Sequence, residues 1–197
     1  MNPHEYPNRW HSRGRLPHFE GGEIFLQFVT FRLFDSIPPS KIRKWQLELE
    51  SEETTDAQRE IAIRIEKHLD RGYGNAFLKN RKVAEIVENS LLHWDGKKYK
   101  LFAWVIMPNH VYLLLRPKKG FALAEIMHSI KSFTANKANE LLNRQGDFWQ
   151  HESFDRFIRN HEHFMRVVGY IENNPVKAGL CLEPSEWRYS SAYYFQT

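Results

Sequence analysis

Cysteine is nearly absent. Cys181 is the one cysteine in 197 residues, which excludes an internal disulfide and any cysteine-based zinc site and fits a reducing compartment. Long apolar runs are missing as well. The longest, such as Phe102-Ala103-Trp104-Val105-Ile106-Met107, fall far short of the ~20 residues a membrane span needs, so no membrane partner is expected. Met1 to Arg15 is polar and aromatic rather than a charged-then-apolar leader, and the expected location is the cytoplasm. No internal repeat and no Gly/Ser linker marks a second unit. One domain over 1–197 is therefore expected, with 1–22 a basic N-terminal arm and 183–197 a C-terminal tail.

What the chain does have is aromatic bulk and uneven charge. Phe, Tyr and Trp make up 14% of the residues, enough for a sizeable core. The balance is 28 Lys+Arg against 24 Asp+Glu, a net of +4. The bases cluster: Arg116, Lys118, Lys119, Lys131, Lys137 and Arg144 face only Glu125 and Glu140 within that stretch, whereas Glu48 to Asp56 is acidic. A basic segment set apart from an acidic one suits a surface that meets a polyanion, although a merely solvated face explains it as well.

Hydrophobic spacing predicts the elements. Ile24 to Leu33 reads as a buried strand. Pro38-Pro39-Ser40 opens a helix over Lys41 to Leu49 with Ser40 as its cap. Ala57, Ile61, Ile65 and Leu69 define a second helix from Thr55 to Arg71, and Asn80 caps a third through Leu92. Tyr99 to Met107 and His110 to Arg116, separated by Pro108-Asn109, form a tight antiparallel hairpin. A long helix follows Gly120 and ends at Gly146. A loop leads to a last long helix, capped by Asn160 and stopped by Pro175 and Gly179. Strand, helices, hairpin, helix, loop, helix is an α+β order, and a ferredoxin-like antiparallel sheet packed with helices, mainly on one face, is the expected architecture.

Two constellations carry chemistry. Alternation along the second hairpin strand places His110, Tyr112, Leu114 and Arg116 on one face and the apolar Val111, Leu113 and Leu115 on the other. On the last long helix, Phe164, Val167, Val168 and Ile171 form the buried stripe. Tyr170 and Asn174, four residues apart, flank that stripe one turn from each other, and His163 falls on the same flank two turns earlier. Each of these residues also has an ordinary structural reading: a surface histidine, a packing tyrosine, an asparagine that caps the helix before Pro175.

The stretch Trp104-Val105-Ile106-Met107-Pro108-Asn109-His110-Val111-Tyr112-Leu113-Leu114 resembles the metal-site strand of the single-tyrosine HUH transposases, and more narrowly of the REP-associated tyrosine transposases. The resemblance runs nearly end to end. It takes in Arg15-Leu16-Pro17-His18-Phe19 with Phe28-Val29-Thr30-Phe31-Arg32, then Phe148-Trp149-Gln150 with Phe154-Asp155-Arg156 and Ile158-Arg159. It continues through Tyr170-Ile171-Glu172-Asn173-Asn174-Pro175-Val176-Lys177-Ala178-Gly179-Leu180 to Trp187-Arg188-Tyr189-Ser190-Ser191-Ala192. It implies an HUH-type fold and cleavage and joining of single-stranded, hairpin-bearing DNA through a 5′-phosphotyrosine link on Tyr170. A divalent metal, Mg or Mn, is implied on His110 and Asn174, with monomers and homodimers both known among relatives.

The pattern departs at one position: where the family carries its second histidine, this chain has Tyr112, a far poorer ligand as a neutral phenol. Three readings follow. Tyr112, water or another group completes a weakened metal shell; or nicking is lost and hairpin DNA binding kept; or a nearby histidine, His163, compensates. Lys131, Arg156 and Arg159 are the candidates for gripping DNA phosphates. Trp149 and the Arg9–Arg15 arm are candidates for stacking on or tracking unpaired bases, with a core role for Trp149 and a structural pairing of Asp155 with Arg156 as the competing expectations.

Overall fold

The computed structural model describes residues 10–12, 17–19, 23–51 and 57–196. Most of the expected N-terminal arm lies outside them; within it, the short strands β1 (Trp10–Ser12) and β2 (Pro17–Phe19) pair antiparallel. The central sheet is built from β3 (Gln27–Arg32), β4 (Tyr99–Ile106), β5 (His110–Pro117) and β6 (Phe154–Phe157) in the order β4-β5-β3-β6, every pair antiparallel. Helices α1 (Pro39–Ser51), α2 (Ala57–Leu69) and α3 (Arg81–Trp94) lie between β3 and β4 in sequence, and α4 (Leu123–Leu141) lies between β5 and β6. This is the split β-α-β-β-α-β arrangement of a ferredoxin-like sandwich. Helix α5 (His161–Lys177) and the short α6 (Ser191–Tyr194) follow.

Several local expectations change. Helix α1 starts at Pro39, so Ser40 lies inside its first turn rather than capping it; proline suits that first position because its missing N–H would be unbonded anyway. Asn80 does cap α3, its side chain accepting from the Lys82 amide. The segment 154–157, expected as loop, is an edge strand on β3, and its four residues are too short for alternation to announce it. Pro175 does not stop α5, which runs on to Lys177, with Ala178 as its C-cap. Proline costs least here because only the last turn follows it, and the amides of Ala178 and Leu180 close on the carbonyls of Asn174 and Pro175.

The sheet is covered on both faces, not mainly on one. Val29, Phe31, Trp104, Ile106, Val111, Leu113 and Leu115 pack against Val83, Val87 and Leu91 of α3 and Ile126, Met127 and Ile130 of α4. On the other face Phe28, Ala103, Val105, Met107, Tyr112 and Leu114 pack against Val167 and Ile171 of α5. The two-sided burial explains why β3 and β5 read as nearly continuous apolar runs. It also pins the register, since a one-residue slip of β5 would carry Val111 and Leu113 to the wrong face and Tyr112 away from α5.

The tail seals the sheet. Trp187 Nε1 donates to the Ile106 carbonyl at 3.0 Å, the Ile106 amide donates to the Tyr189 carbonyl at 2.9 Å, and Val105 bridges Ser190. These contacts cover the outer edge of β4, which would otherwise offer unpaired backbone groups to another chain.

Candidate active site

Register brings the two chemical constellations together. Tyr112 lies in β5 between Thr30 of β3 and Val105 of β4, fully buried, its ring stacked on Phe28 at 5.5 Å and against His110 at 4.6 Å. Helix α5 crosses that face with Val167 and Ile171 inward, so Tyr170, on the flank of the stripe, reaches the same place. Its ring centre is 5.4 Å from that of Tyr112, and its hydroxyl donates to the Tyr112 oxygen at 3.2 Å. Asn174, one turn on, is fully buried beneath it. His110, Tyr112 and Tyr170 thus meet between sheet and helix, and the buried Asn174 lies one turn beyond Tyr170, against Asp70.

The local chemistry of His110 follows from its neighbour in the hairpin turn. The Asn109 side-chain nitrogen donates to the Tyr73 carbonyl at 2.9 Å and toward the Leu69 carbonyl at 3.4 Å. That fixes which end of the amide is oxygen, and Asn109 Oδ1 then lies 2.7 Å from His110 Nδ1. An acceptor there requires the proton on Nδ1, leaving Nε2 with its lone pair. Burial holds the imidazole neutral, with its pKa lowered to about 3. Nε2 is buried and has no hydrogen-bond partner among the described residues. The same holds for both the oxygen and the nitrogen of the Asn174 amide.

Asn109 also ties the hairpin to the end of α2, and that helix brings groups that sequence reasoning did not single out. Glu66 in the last turn of α2 and Asp70 just past its end, whose amide bonds the Glu66 carbonyl, act on the tyrosines: burial is the larger cause that pushes the pKa of Tyr112 and of Tyr170 upward, and both carboxylates add to it. Burial raises Glu66, with Arg156 the main opposing influence, its guanidinium 3.7 Å from Oε1; the Tyr170 hydroxyl also favours the ionised carboxylate. Burial raises Asp70 too, opposed by Lys177 and Asn174. Asp70 lines, with Asn109, His110, Met107 and Ala178, a cleft of about 240 Å³. The loop after α2 is held by the Asn75 amide donating to Asp35 Oδ2 at 2.8 Å, and by Gly74, at φ +88°, where a Cβ would meet the Asp35 carbonyl oxygen at 2.8 Å. The i, i+4 spacing of Glu66 and Asp70 was visible in the sequence; which element α2 docks on was not.

The other anticipated residues separate. Arg156 belongs to the site, over the Phe28 ring at 4.6 Å and beside Glu66; as alternation demands, its neighbour Asp155 points to the opposite face, lining a groove along α4. Arg159 is exposed at the entry to α5. Lys131 lies in the α4 groove on the far side of the sheet, donating to the carbonyls of Gln150 and His151, each at 2.7 Å, with its pKa lowered to about 8 chiefly by burial and then by Arg32. Trp149 is a core residue, 6% exposed, its Nε1 donating to Thr134 Oγ1 at 2.9 Å, so the stacking role expected of it gives way to the core role. His163 Nδ1 accepts from the Arg159 amide at 3.2 Å, and its pKa is lowered by burial and by Arg156, Arg166 and Arg159. Turned toward that basic entrance, His163 does not line the His110 cleft.

Residues 74–174, just over half of the chain, match the family described as Transposase IS200 like, and the chain belongs to that family. It is 27% identical over 96 residues to the REP-associated tyrosine transposase of Escherichia coli (strain K12), a stretch that is 48% of this chain and 55% of that protein. The match thus spans about half the length of that relative. The fold is similar to the solved structure of a REP-associated tyrosine transposase bound to a REP hairpin, with a TM-score of 0.54 and 19% identity, covering 93% of this chain and 84% of that one. At that identity the likeness speaks for the fold.

Proposed function

We propose that the protein cleaves and rejoins single-stranded, hairpin-bearing DNA through a 5′-phosphotyrosine intermediate on Tyr170. The observation that supports this best is the Tyr170 hydroxyl at 3.2 Å from Tyr112, with the Tyr112 ring against His110. A nucleophile helix and a histidine strand meet there in one cleft. The two relatives above, a REP-associated tyrosine transposase and one solved with a REP hairpin bound, favour that substrate.

Tyr170 Oη attacks a backbone phosphorus, forming the phosphotyrosine bond while the bond to the 3′ oxygen breaks, and that oxygen takes a proton from water to leave as a 3′-hydroxyl. The phenol proton leaves toward Glu66, whose burial-raised pKa suits a proton acceptor. When Tyr170 ionises, the Tyr112 O–H turns to donate to the phenolate, the sense in which the pair lowers the Tyr170 pKa and raises that of Tyr112. Arg156, beside Glu66, and Lys177, 5.1 Å from the Tyr170 ring, are placed to hold the scissile phosphate; Arg159 flanks the entrance. Rejoining reverses these steps, a 3′-hydroxyl attacking the phosphotyrosine.

A divalent cation, Mg or Mn, fits the residues present: His110 Nε2 and the Asn174 side chain are buried polar groups without partners. Bound there, it would draw charge onto a non-bridging phosphate oxygen. Among the described residues no three His, Cys, Asp or Glu side chains gather into a metal-binding group, so the amide has to contribute.

The test is incubation with single-stranded DNA bearing hairpins from the flanks of the gene, with Mg or Mn. A covalent adduct is expected from the wild type and none from Tyr170→Phe; an adduct of equal yield from both refutes the nucleophile. A second reading, hairpin binding with weakened nicking, rests on the buried phenol of Tyr112 at the second histidine position. It expects Tyr112→His to gain metal affinity and nicking, and full wild-type cleavage unchanged in that variant refutes it.

A further inference from the structure

Buried polar atoms beside the cleft lack a hydrogen bond among the described residues, and they come from three separate segments: His110 Nε2 on β5, Asn174 Oδ1 on α5, whose amide nitrogen faces the Asp70 carboxylate, and Asp70 Oδ1 just past the end of α2. Unsatisfied buried groups are costly, a charged one most of all. Asp70 and His110 line one cleft and Asn174 lies against Asp70, so a common ligand accounts for all three together. Asp70 is the common neighbour. It lines the same cleft as His110 and lies against the Asn174 amide. Tyr112, by contrast, has its oxygen bonded to Tyr170 and its ring enclosed by Phe28, His110 and Tyr170.

We propose that Asp70 is the third protein ligand of a divalent-cation site formed with His110 Nε2 and Asn174 Oδ1, replacing the absent second strand histidine with a carboxylate from α2, and that Tyr112 is no ligand. The donor set is one imidazole nitrogen and two oxygens. It is harder than a two-histidine set and suits Mg or Mn with water in the remaining positions. Glu66, one turn earlier, also has a buried Oε1 without a hydrogen bond, but that oxygen faces the Arg156 guanidinium at 3.7 Å and Glu66 does not line the His110 cleft. The Asn109 bridge, reaching both the Leu69 carbonyl and His110 Nδ1, fixes the carboxylate-bearing helix end relative to the imidazole, as hydrogen bonds behind a metal ligand do.

This inference rests on the cation-assisted reading of the cleft, and binding measured without DNA separates the two. Mn²⁺ is titrated into the full chain and followed by electron paramagnetic resonance, with melting curves in chelator confirming that each variant is folded. The wild type is expected to bind with spin-echo modulation from a single imidazole nitrogen. Asp70→Asn is expected to lose at least ~10-fold in affinity, while Tyr112→Phe and Glu66→Gln stay within about threefold of wild type. Asp70→Asn binding as tightly as wild type, with His110→Gln losing the ion, overturns the ligand set and leaves the cleavage reading standing. Loss in Tyr112→Phe or Glu66→Gln instead assigns the third ligand elsewhere and overturns it too. A wild type that binds no Mn²⁺, or binds it without imidazole modulation, overturns both the site and the cation-assisted reading, whereas covalent adduct formation in the DNA assay then decides the fate of Tyr170 alone.

Discussion

Asn109 is a turn residue by sequence and a positioning residue by structure, and Asn109→Leu isolates that difference at nearly constant size. The substitution removes the 2.7 Å bond to His110 Nδ1 and the 2.9 Å bond to the Tyr73 carbonyl, along with the marginal 3.4 Å contact to the Leu69 carbonyl. One buried polar group, the His110 Nδ1–H, is then left without its partner, whereas the carbonyl of the exposed Tyr73 can turn to water. At about 1–3 kcal/mol for a buried group stranded, the loss is of that order. For a chain of this size that lowers Tm by roughly 3–10 °C. The assay is calorimetry in chelator together with imidazole ¹⁵N spectra of the wild type and variant. The wild type is expected to show His110 with its proton on Nδ1 and a bare Nε2, and the variant to show a mixture of tautomers. A variant melting within about 2 °C of wild type, or a wild-type His110 protonated at Nε2, refutes the chain of reasoning from the Asn109 amide to the metal-ready nitrogen.

Two further outcomes test the site and its surroundings. Tyr112→Phe removes the donor to the Tyr170 phenolate, a charge-assisted bond worth about 1.5–3 kcal/mol, so single-turnover cleavage near neutral pH slows ~10–100-fold and its rise with pH moves to higher pH; an unshifted profile refutes the role of that hydroxyl. Lys131 is expected to titrate at about 8 because it is buried and lies near Arg32, which ¹³C-methyl spectra of the reductively methylated protein measure directly, an ordinary lysine midpoint refuting it. Because the unfolded chain takes up more protons than the folded one between that value and the usual lysine range, the wild type gains stability relative to Lys131→Met as pH rises through that window.

How far the sequence reaches differs from element to element. The hairpin was legible because Val111, Leu113 and Leu115 alternate with His110, Tyr112 and Leu114 across a Pro-Asn turn, and α5 because Phe164, Val167, Val168 and Ile171 follow helical spacing. Those two patterns decide which face each candidate residue takes, and the structure sets Tyr112 and Tyr170 against each other accordingly. Strand β6 was hidden because four residues carry too little periodicity, and the extent of α5 because Pro175 stops a helix only when turns remain to follow it.

The chain alone therefore determined the local geometry: which side chains share a strand face or a helix flank, since backbone period is a property of consecutive residues. What only the tertiary structure decided is which of those faces meet. Glu66 and Asp70 enter the site because α2 ends where Asn109 can bond the Leu69 and Tyr73 carbonyls, Lys131 is set on the far side of the sheet from Tyr170, and Trp149 goes into the core. Such placements depend on packing between segments distant along the chain, and no spacing within one segment encodes them.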